Sequence, residues 1–419
     1  MGLTLTEKIL SHAVGRTVNP GEIIVTEVDL VYAHDGTAPL AIQVLSNELR
    51  FIKVFDPGKV VFVIDHAAPS PSINVSKVHK LMRDFSYSFR VKLYDVGNGI
   101  CHQLIPEEGL VKPGMIIVGA DSHTVTLGAF AAFAIGVGST DAAIAIAYGK
   151  IWLKIPEIVK IAIEGNLPRG VYSKDIILYM LKTIKSDGMT YKSVEFHGKT
   201  LQKLSMDARM TLTNMCTEIG AKAALIPVDA VTKQWFEERG IYNIKELRPD
   251  TNAEYSDELL FDISNLEPQI ALPPNVDNVK SISEVEGLEI DQVFIGSCTN
   301  GRYEDLLVVA KILNKHKVNP RVRCIIIPAS RNIYLKALRH DIIEKLLQAG
   351  CVIGPPTCGP CIGAHMGLLA EDEIAISTSN RNFIGRMGHK RSKVYLASPA
   401  TAAASAIEGK ITDPRKYIS

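Results

Sequence analysis

Residues Asp291–Gly301 read DQVFIGSCTNG, a short apolar run that favours strand, closed by a glycine and followed by a cysteine in a polar turn. The run predicts a β-strand. The turn that follows, flanked by Gly296 and Gly301, lets the backbone carrying Cys298 approach a bulky ligand closely.

Outward from this stretch the same pattern recurs. KVVFVI ends in Asp65-His66, and RVKLYDV leads through Gly97-Asn98-Gly99 to Cys101-His102. MIIVGA ends in Asp121-Ser122-His123, and EIAISTS ends in Asn380-Arg381-Asn382 with Arg386 just beyond. Strand-like runs alternating with helical stretches predict an α/β fold. In parallel α/β sheets, ligands and catalytic groups gather at the carboxyl ends of strands. A lone polar residue after a strand is usually a cap or a turn. Five ends bearing acid, imidazole, thiol or guanidinium groups argue for one shared cleft, and so for an enzyme.

Composition narrows the class. The chain has 419 residues, 47% hydrophobic and 22% charged, enough for two or three domains with real cores. A net charge of +1 advertises no affinity for polyanions, and the basic cluster His389–Lys390–Arg391 with Lys393 reads as a solvated edge. RNA binding by an apo form, the rival of a different class, therefore lacks a basic stripe. The N-terminus carries no secretory signal. Gly2 and Thr6 fit a myristoylation pattern, but Thr4-x-x-Glu7 reads as a capping box, with Leu5, Ile9 and Ala13 on one face of a first helix. Asn74-Val75-Ser76 fits a glycosylation acceptor with no other sign of export. The expectation is a cytoplasmic protein.

LGAFAAFAIGVGSTDAAIAIAYG, Leu127 to Gly149, is long enough to cross a bilayer. It carries Asp141 and breaks at Gly136 and Gly138, so the expectation is two buried helices joined by a tight turn, the second capped by Ser139 or Thr140. No membrane contact is expected. Between about Leu153 and Ser283 the pattern changes, with a helix over VYSKDIILYMLKTI and Pro-rich joints such as LEPQIALPPNVDN. The expected units are residues 1–156, 157–283 and 284–419.

The seven cysteines, an odd number without an export signal, argue against a disulfide framework. Cys324 and Cys351 sit in apolar runs and read as inert core thiols. Cys358-Gly359-Pro360-Cys361 carries a redox-dithiol spacing, but so far along the chain, preceded by Pro-Pro-Thr, it is hard to place at a helix start. A zinc site would need further ligands, and neither His365 nor Cys351 stands at knuckle spacing. With Cys298 the pair makes three thiolates, which suits an iron–sulfur cluster with one iron left open as a Lewis acid.

These motifs together resemble the aconitase superfamily, and within it the large subunits of the two-subunit isopropylmalate dehydratase branch. The resemblance rests on His34-Asp35-Gly36-Thr37-Ala38-Pro39, Asp65-His66, Gly99-Ile100-Cys101-His102-Gln103, Gly119-Ala120-Asp121-Ser122-His123-Thr124, Gly296-Ser297-Cys298-Thr299-Asn300, Cys358-Gly359-Pro360-Cys361 and Asn380-Arg381-Asn382-Phe383-x-Gly385-Arg386. It implies three α/β domains around a central cleft, without the family's mobile fourth domain, and a [4Fe-4S] cluster held by Cys298, Cys358 and Cys361. It implies that Asp65-His66 protonate a departing hydroxyl, with His102, Asp121, His123 and Glu218 as the supporting network. His34, Ser122, Asn214, Asn380, Arg381 and Arg386 would bind substrate, the arginines gripping carboxylates. The implied reaction isomerises 2-isopropylmalate and 3-isopropylmalate by dehydration and rehydration, in leucine biosynthesis. Homoaconitase and other hydro-lyases acting on 2-hydroxy dicarboxylates share every motif. A separate small subunit, the mobile swivel domain, is expected to bring the catalytic base, since no Ser-Arg-Glu tripeptide occurs here.

Overall fold

The computed structural model describes residues 2–50 and 53–418. Three parallel-rich sheets carry the chain. The first has five parallel strands in the order Lys92–Tyr94, Val60–Val63, Leu30–His34, Ile116–Gly119, Phe133–Gly136. The second has four parallel strands in the order Ala223–Leu225, Ser193–His197, Ile158–Glu164, Asp257–Asp262. The third has seven, ordered Val279–Ser281, Gln269–Ala271, Lys393–Ala397, Ile374–Ser377, Gln292–Ile295, Arg323–Ile326, Val352–Ile353. Its last five strands are mutually parallel, while Gln269–Ala271 runs antiparallel to both neighbours.

The central strands are continuous apolar runs because both faces are covered. In the first sheet Leu30 and Tyr32 enter one core, while Val31 and Ala33 enter the other; Val61 and Val63 alternate with Val60 and Phe62 in the same way. Strands buried on both faces lose the polar alternation of a half-exposed sheet.

Strand order places the functional crevice. From Leu30–His34 the chain steps outward to Val60–Val63 and Lys92–Tyr94, then crosses back to Ile116–Gly119 and continues the other way. The order reverses between Leu30–His34 and Ile116–Gly119. In the third sheet it reverses between Gln292–Ile295 and Ile374–Ser377. Ligand crevices open at such reversals, beyond the strand ends. The two sheets meet there: the Cys358 backbone N–H donates to the Asp65 carbonyl at 2.7 Å, and that of Ile100 donates to the Ala329 carbonyl at 2.9 Å.

Two expectations fail. Leu127–Gly149 is not a pair of helices: a 3-10 helix over Ser122–Phe130 leads to the strand Phe133–Gly136, and only Ser139–Tyr148 is α-helical, with Gly138 rather than Ser139 or Thr140 at its cap. Phe133–Gly136 completes the ladder beside Ile116–Gly119, a tertiary pairing that overrides the alanine-rich local preference. The joint LEPQIALPPNVDN contains the strand Gln269–Ala271, which belongs to the third sheet. The first helix, Leu5–Val14, starts at the Thr4–Glu7 capping box as expected, although Ala13 is exposed and Leu10 is buried instead. Among the described residues no helix is long and apolar enough to cross a membrane.

Candidate active site

All five strand ends singled out in the sequence open on one hollow of about 180 Å³, walled by imidazoles, Asp121, Ser122, three cysteines, Asn380, Arg381 and Arg386. Four larger hollows lie elsewhere among the described residues, such as one of about 560 Å³ beside Tyr172 and Tyr303, and none of these four gathers thiols with imidazoles. Asp65, Asn214 and Glu218 stand one layer behind the wall, each touching a residue that lines it.

One wall holds an acid–imidazole network. Asp65 Oδ1 lies 2.7 Å from His66 Nδ1, and its Oδ2 accepts the Cys101 N–H at 2.7 Å. Burial works against a charged His66, but Asp65 first, then Asp121 and Asp35, raise it to about 9. Asp121 is the hub. Its carboxylate meets His102 Nε2 at 2.8 Å and His34 Nε2 at 3.2 Å, and it accepts the His123 backbone N–H at 2.7 Å. Burial disfavours its charge, yet these partners, His102 foremost, hold the carboxyl well below its usual range. Burial lowers His102 below the ordinary imidazole value despite Asp121. Its other nitrogen, Nδ1, lies 3.0 Å from the Tyr32 hydroxyl.

The second wall joins the first sheet to the other two. His123 Nε2 lies 2.9 Å from Glu218 Oε1, and Arg381 Nε donates to the same oxygen at 2.8 Å. Arg381 Nη2 donates to Ser122 Oγ at 3.1 Å. Burial opposes the charge on Glu218, but His123 and Arg381 outweigh it and hold the carboxyl low. Arg381 thus stands braced while part of its fork stays open to the cleft.

The floor carries the thiols. Ser297 adopts a left-handed backbone (φ 72°), and an added Cβ on Gly296 would come within 2.9 Å of the Ile327 carbonyl. That tight turn sets Cys298 after its strand. Asn214 Nδ2 donates to Cys298 Sγ at 3.2 Å, and Arg386 Nη2 reaches Cys361 Sγ at 3.6 Å. Gly359–Ile362 forms a 3-10 helix, with Cys358 at its cap, rather than an α-helix start. The remaining zinc candidates are engaged elsewhere: Cys351 faces Cys324 at 3.5 Å, and His365 Nε2 lies 3.1 Å from Thr357 Oγ1. Burial pushes the Cys298 thiol up to about 12, whereas contact with Cys358 and the Arg386 guanidinium lower Cys361 well below the thiol range. These residues fit an iron–sulfur group. Three buried free thiols share the hollow, amide N–H groups point at sulfur, and the buried Arg386 Nε has no hydrogen-bond partner among the described residues.

Several supporting residues escaped the sequence reading. Lys174 is fully buried, and its Nζ donates to the carbonyls of Thr378 (3.1 Å) and Ser379 (2.5 Å), directly before Asn380. Arg302, also fully buried, donates to the Thr299 carbonyl at 2.6 Å, to the Cys298 carbonyl and to Gln103 Oε1 at 3.1 Å. Asp35 accepts three successive backbone N–H groups from Asp65, His66 and Ala67. A charged pair inside the apolar helix VYSKDIILYML was the one available signal for Lys174.

Two parallel-rich α/β sheets meeting at their reversal points, over carboxylate–imidazole pairs and three thiols, define the active site of an enzyme. The chain belongs to the aconitase family: the model described as "Aconitase family (aconitate hydratase)" matches residues 7–409. It is 50% identical over 419 residues to a 3-isopropylmalate dehydratase large subunit of Methanopyrus kandleri, covering all of both chains. It is 49% identical over 421 residues to one of Thermotoga maritima, again covering both chains entirely. Among solved structures, aconitase X of Thermococcus kodakaraensis in its holo form has a similar fold, with a TM-score of 0.51 at 13% identity over 90% of this chain and 89% of that one. Aconitase family members bind iron–sulfur clusters.

Proposed function

We propose that this chain is the cluster-bearing large subunit of a 3-isopropylmalate dehydratase, a hydro-lyase that interconverts 2-isopropylmalate and 3-isopropylmalate. The observation that carries the chemistry is the single hollow in which a carboxylate-paired imidazole, two guanidiniums and three thiols meet. The substrate is supported by the full-length relatives, each named for that activity.

Cys298, Cys358 and Cys361 would hold a [4Fe-4S] cluster, which when bound supplies a Lewis-acidic iron to the substrate hydroxyl. His66, oriented by Asp65, holds a proton at neutral pH and delivers it to the departing hydroxyl. Arg381 and Arg386 bind the substrate carboxylates, and the braced Arg381 fork fixes one of them in orientation. Asp121 keeps the His34 and His102 rings, and Glu218 the His123 ring, in fixed orientations around the reacting carbons. Asn214 and Asn380, whose amides reach Cys298 Sγ, steady the thiol end.

A small subunit completes the cleft, supplies the base that takes the carbon-bound proton, and excludes water. The relatives' designation as large subunits supports that partner. Seven free, buried cysteines suit a reducing cytoplasm. The test is steady-state kinetics of the assembled complex on a panel of 2-hydroxy dicarboxylates. Preference for 2-isopropylmalate is expected; preference for a homocitrate-type substrate would move the chain to the homoaconitase branch.

A further inference from the structure

We infer that Asp35, held by His79, is a positioning residue for the Asp65–His66 pair; the inference rests on His66 acting as the proton donor. His34 stands beside Val63 in the parallel ladder, so Asp35 emerges next to the turn that follows Val60–Val63. There its carboxylate accepts the backbone N–H groups of Asp65 (3.1 Å) and His66 (2.8 Å) on Oδ1, and that of Ala67 (2.8 Å) on Oδ2. Three consecutive N–H groups converging on one carboxylate make an anion nest, here filled by the protein's own side chain. Oδ2 also meets His79 Nε2 at 3.2 Å. That ring comes from the helix Ile73–Phe89 and is buried, as is Asp35.

The neighbouring residue completes the support. The His34 ring stacks on the His66 ring, so one dipeptide grips both the backbone and the imidazole of the donor. The carboxylate lies 4.0 Å from His66 Nδ1, outside hydrogen-bond range, so it touches the donor through the backbone, and its charge only adds to the field of Asp65 and Asp121 at the ring. Misplacing a reacting group by about 1 Å costs roughly a hundredfold in rate, which is the scale at stake in this turn. An asparagine at 35 would keep one acceptor oxygen and set an amide N–H₂ against either backbone donors or His79.

The experiment is a double-mutant cycle in the complex assembled with its small subunit. Asp35→Asn is expected to lower kcat about ten- to a hundredfold, with KM within about threefold and iron content unchanged, because the loss falls on donor geometry. In a His66→Ala background the same substitution is expected to change kcat by less than about threefold, since positioning matters only while the donor is present. His79→Gln, which can still donate to Asp35, should retain more turnover than His79→Leu, and this pair keeps the test alive should Asp35→Asn fold poorly. Equal losses in both backgrounds, or a rise in KM matching the fall in kcat, would overturn positioning alone. Wild-type turnover in His66→Ala itself would overturn the donor reading and this inference with it.

Discussion

The His66 imidazole lies flat against that of His34, with ring centroids 3.7 Å apart and planes 16° apart. Stacking fixes the ring plane, Asp65 fixes its Nδ1 edge, and Nε2 is left facing the hollow, 3.9 Å from Asp121. Burial lowers the ring's proton affinity, but Asp65, Asp121 and Asp35 together raise it to about 9. His66 therefore keeps its proton through neutral pH and loses it as pH rises through about 9. Dehydration by the complex should hold steady below that point and fall above it. His66→Ala should lower kcat about 10²–10⁴-fold and erase that limb. Paired pH–rate profiles measure both; an unchanged alkaline limb in the variant would assign it to another group.

Arg381 is held by Glu218 through Nε and by Ser122 through Nη2, which orients the remaining N–H groups of its fork toward the cleft. A lysine at this position cannot keep both anchors and also offer two parallel donors. Arg381→Lys is expected to raise KM for 2-isopropylmalate at least about tenfold while changing kcat much less. Wild-type kinetics in that variant would remove Arg381 from the carboxylate site.

A stability prediction falls outside the reaction. Glu107 accepts the Ser330 hydroxyl on Oε1 at 3.0 Å, while its buried Oε2 has no partner among the described residues. Burial pushes this carboxyl from 4.5 up to about 7. The folded chain thus holds a proton that the unfolded chain has already released, and stability falls as pH rises from about 4.5 to 7. Glu107→Gln is expected to flatten that slope and raise Tm at pH 8. Thermal melts across pH check it; a lower Tm for the variant at pH 8 would show that the charge is compensated.

The sequence was most legible where a local rule and a tertiary role coincide. Val60–Val63 and Val293–Ile295 are apolar because they are fully buried, and polar residues follow because the strand ends at the crevice. The Thr4–Glu7 cap needs only three residues of context and was read directly. Phe133–Gly136 was illegible because its alanine-rich flanks favour helix and only Ile116–Gly119 makes it a strand. Glu218 could be placed only by resemblance, since His123 and Arg381 approach it from 95 and 163 residues away. Asp35 sat inside a quoted motif, yet its partners in the Asp65–Ala67 turn lie about thirty residues on.

The thiol floor predicts which substitutions release iron. Cys298 comes from a different strand end than the Cys358–Cys361 turn, and its sulfur is buried under two amide donors. Anaerobic reconstitution of wild type should give about four irons per chain with one readily lost in air, and Cys358→Ser/Cys361→Ser should retain none. Iron counting with Mössbauer spectroscopy checks this; stoichiometric zinc in every preparation would overturn the cluster assignment.

The last prediction concerns the base. In the hollow, His34 is engaged on both nitrogens, by the Gly36 N–H at 3.1 Å and by Asp121 at 3.2 Å. His102 is engaged by Tyr32 and Asp121, and His123 by Glu218 with Ser122 Oγ at 3.5 Å. His66 already carries its proton. The imidazoles are thus committed to orientation or to donation, in keeping with the proposal that the small subunit brings the group that takes the carbon-bound proton. The purified chain with its cluster rebuilt should show under about 1% of the complex's turnover with 2-isopropylmalate, a loss of at least two orders of magnitude as expected for a missing general base. Adding the small subunit should restore it, with an on-set that saturates at a fixed stoichiometry. Full turnover by the chain alone would require one of these imidazoles to leave its partner and act as the base.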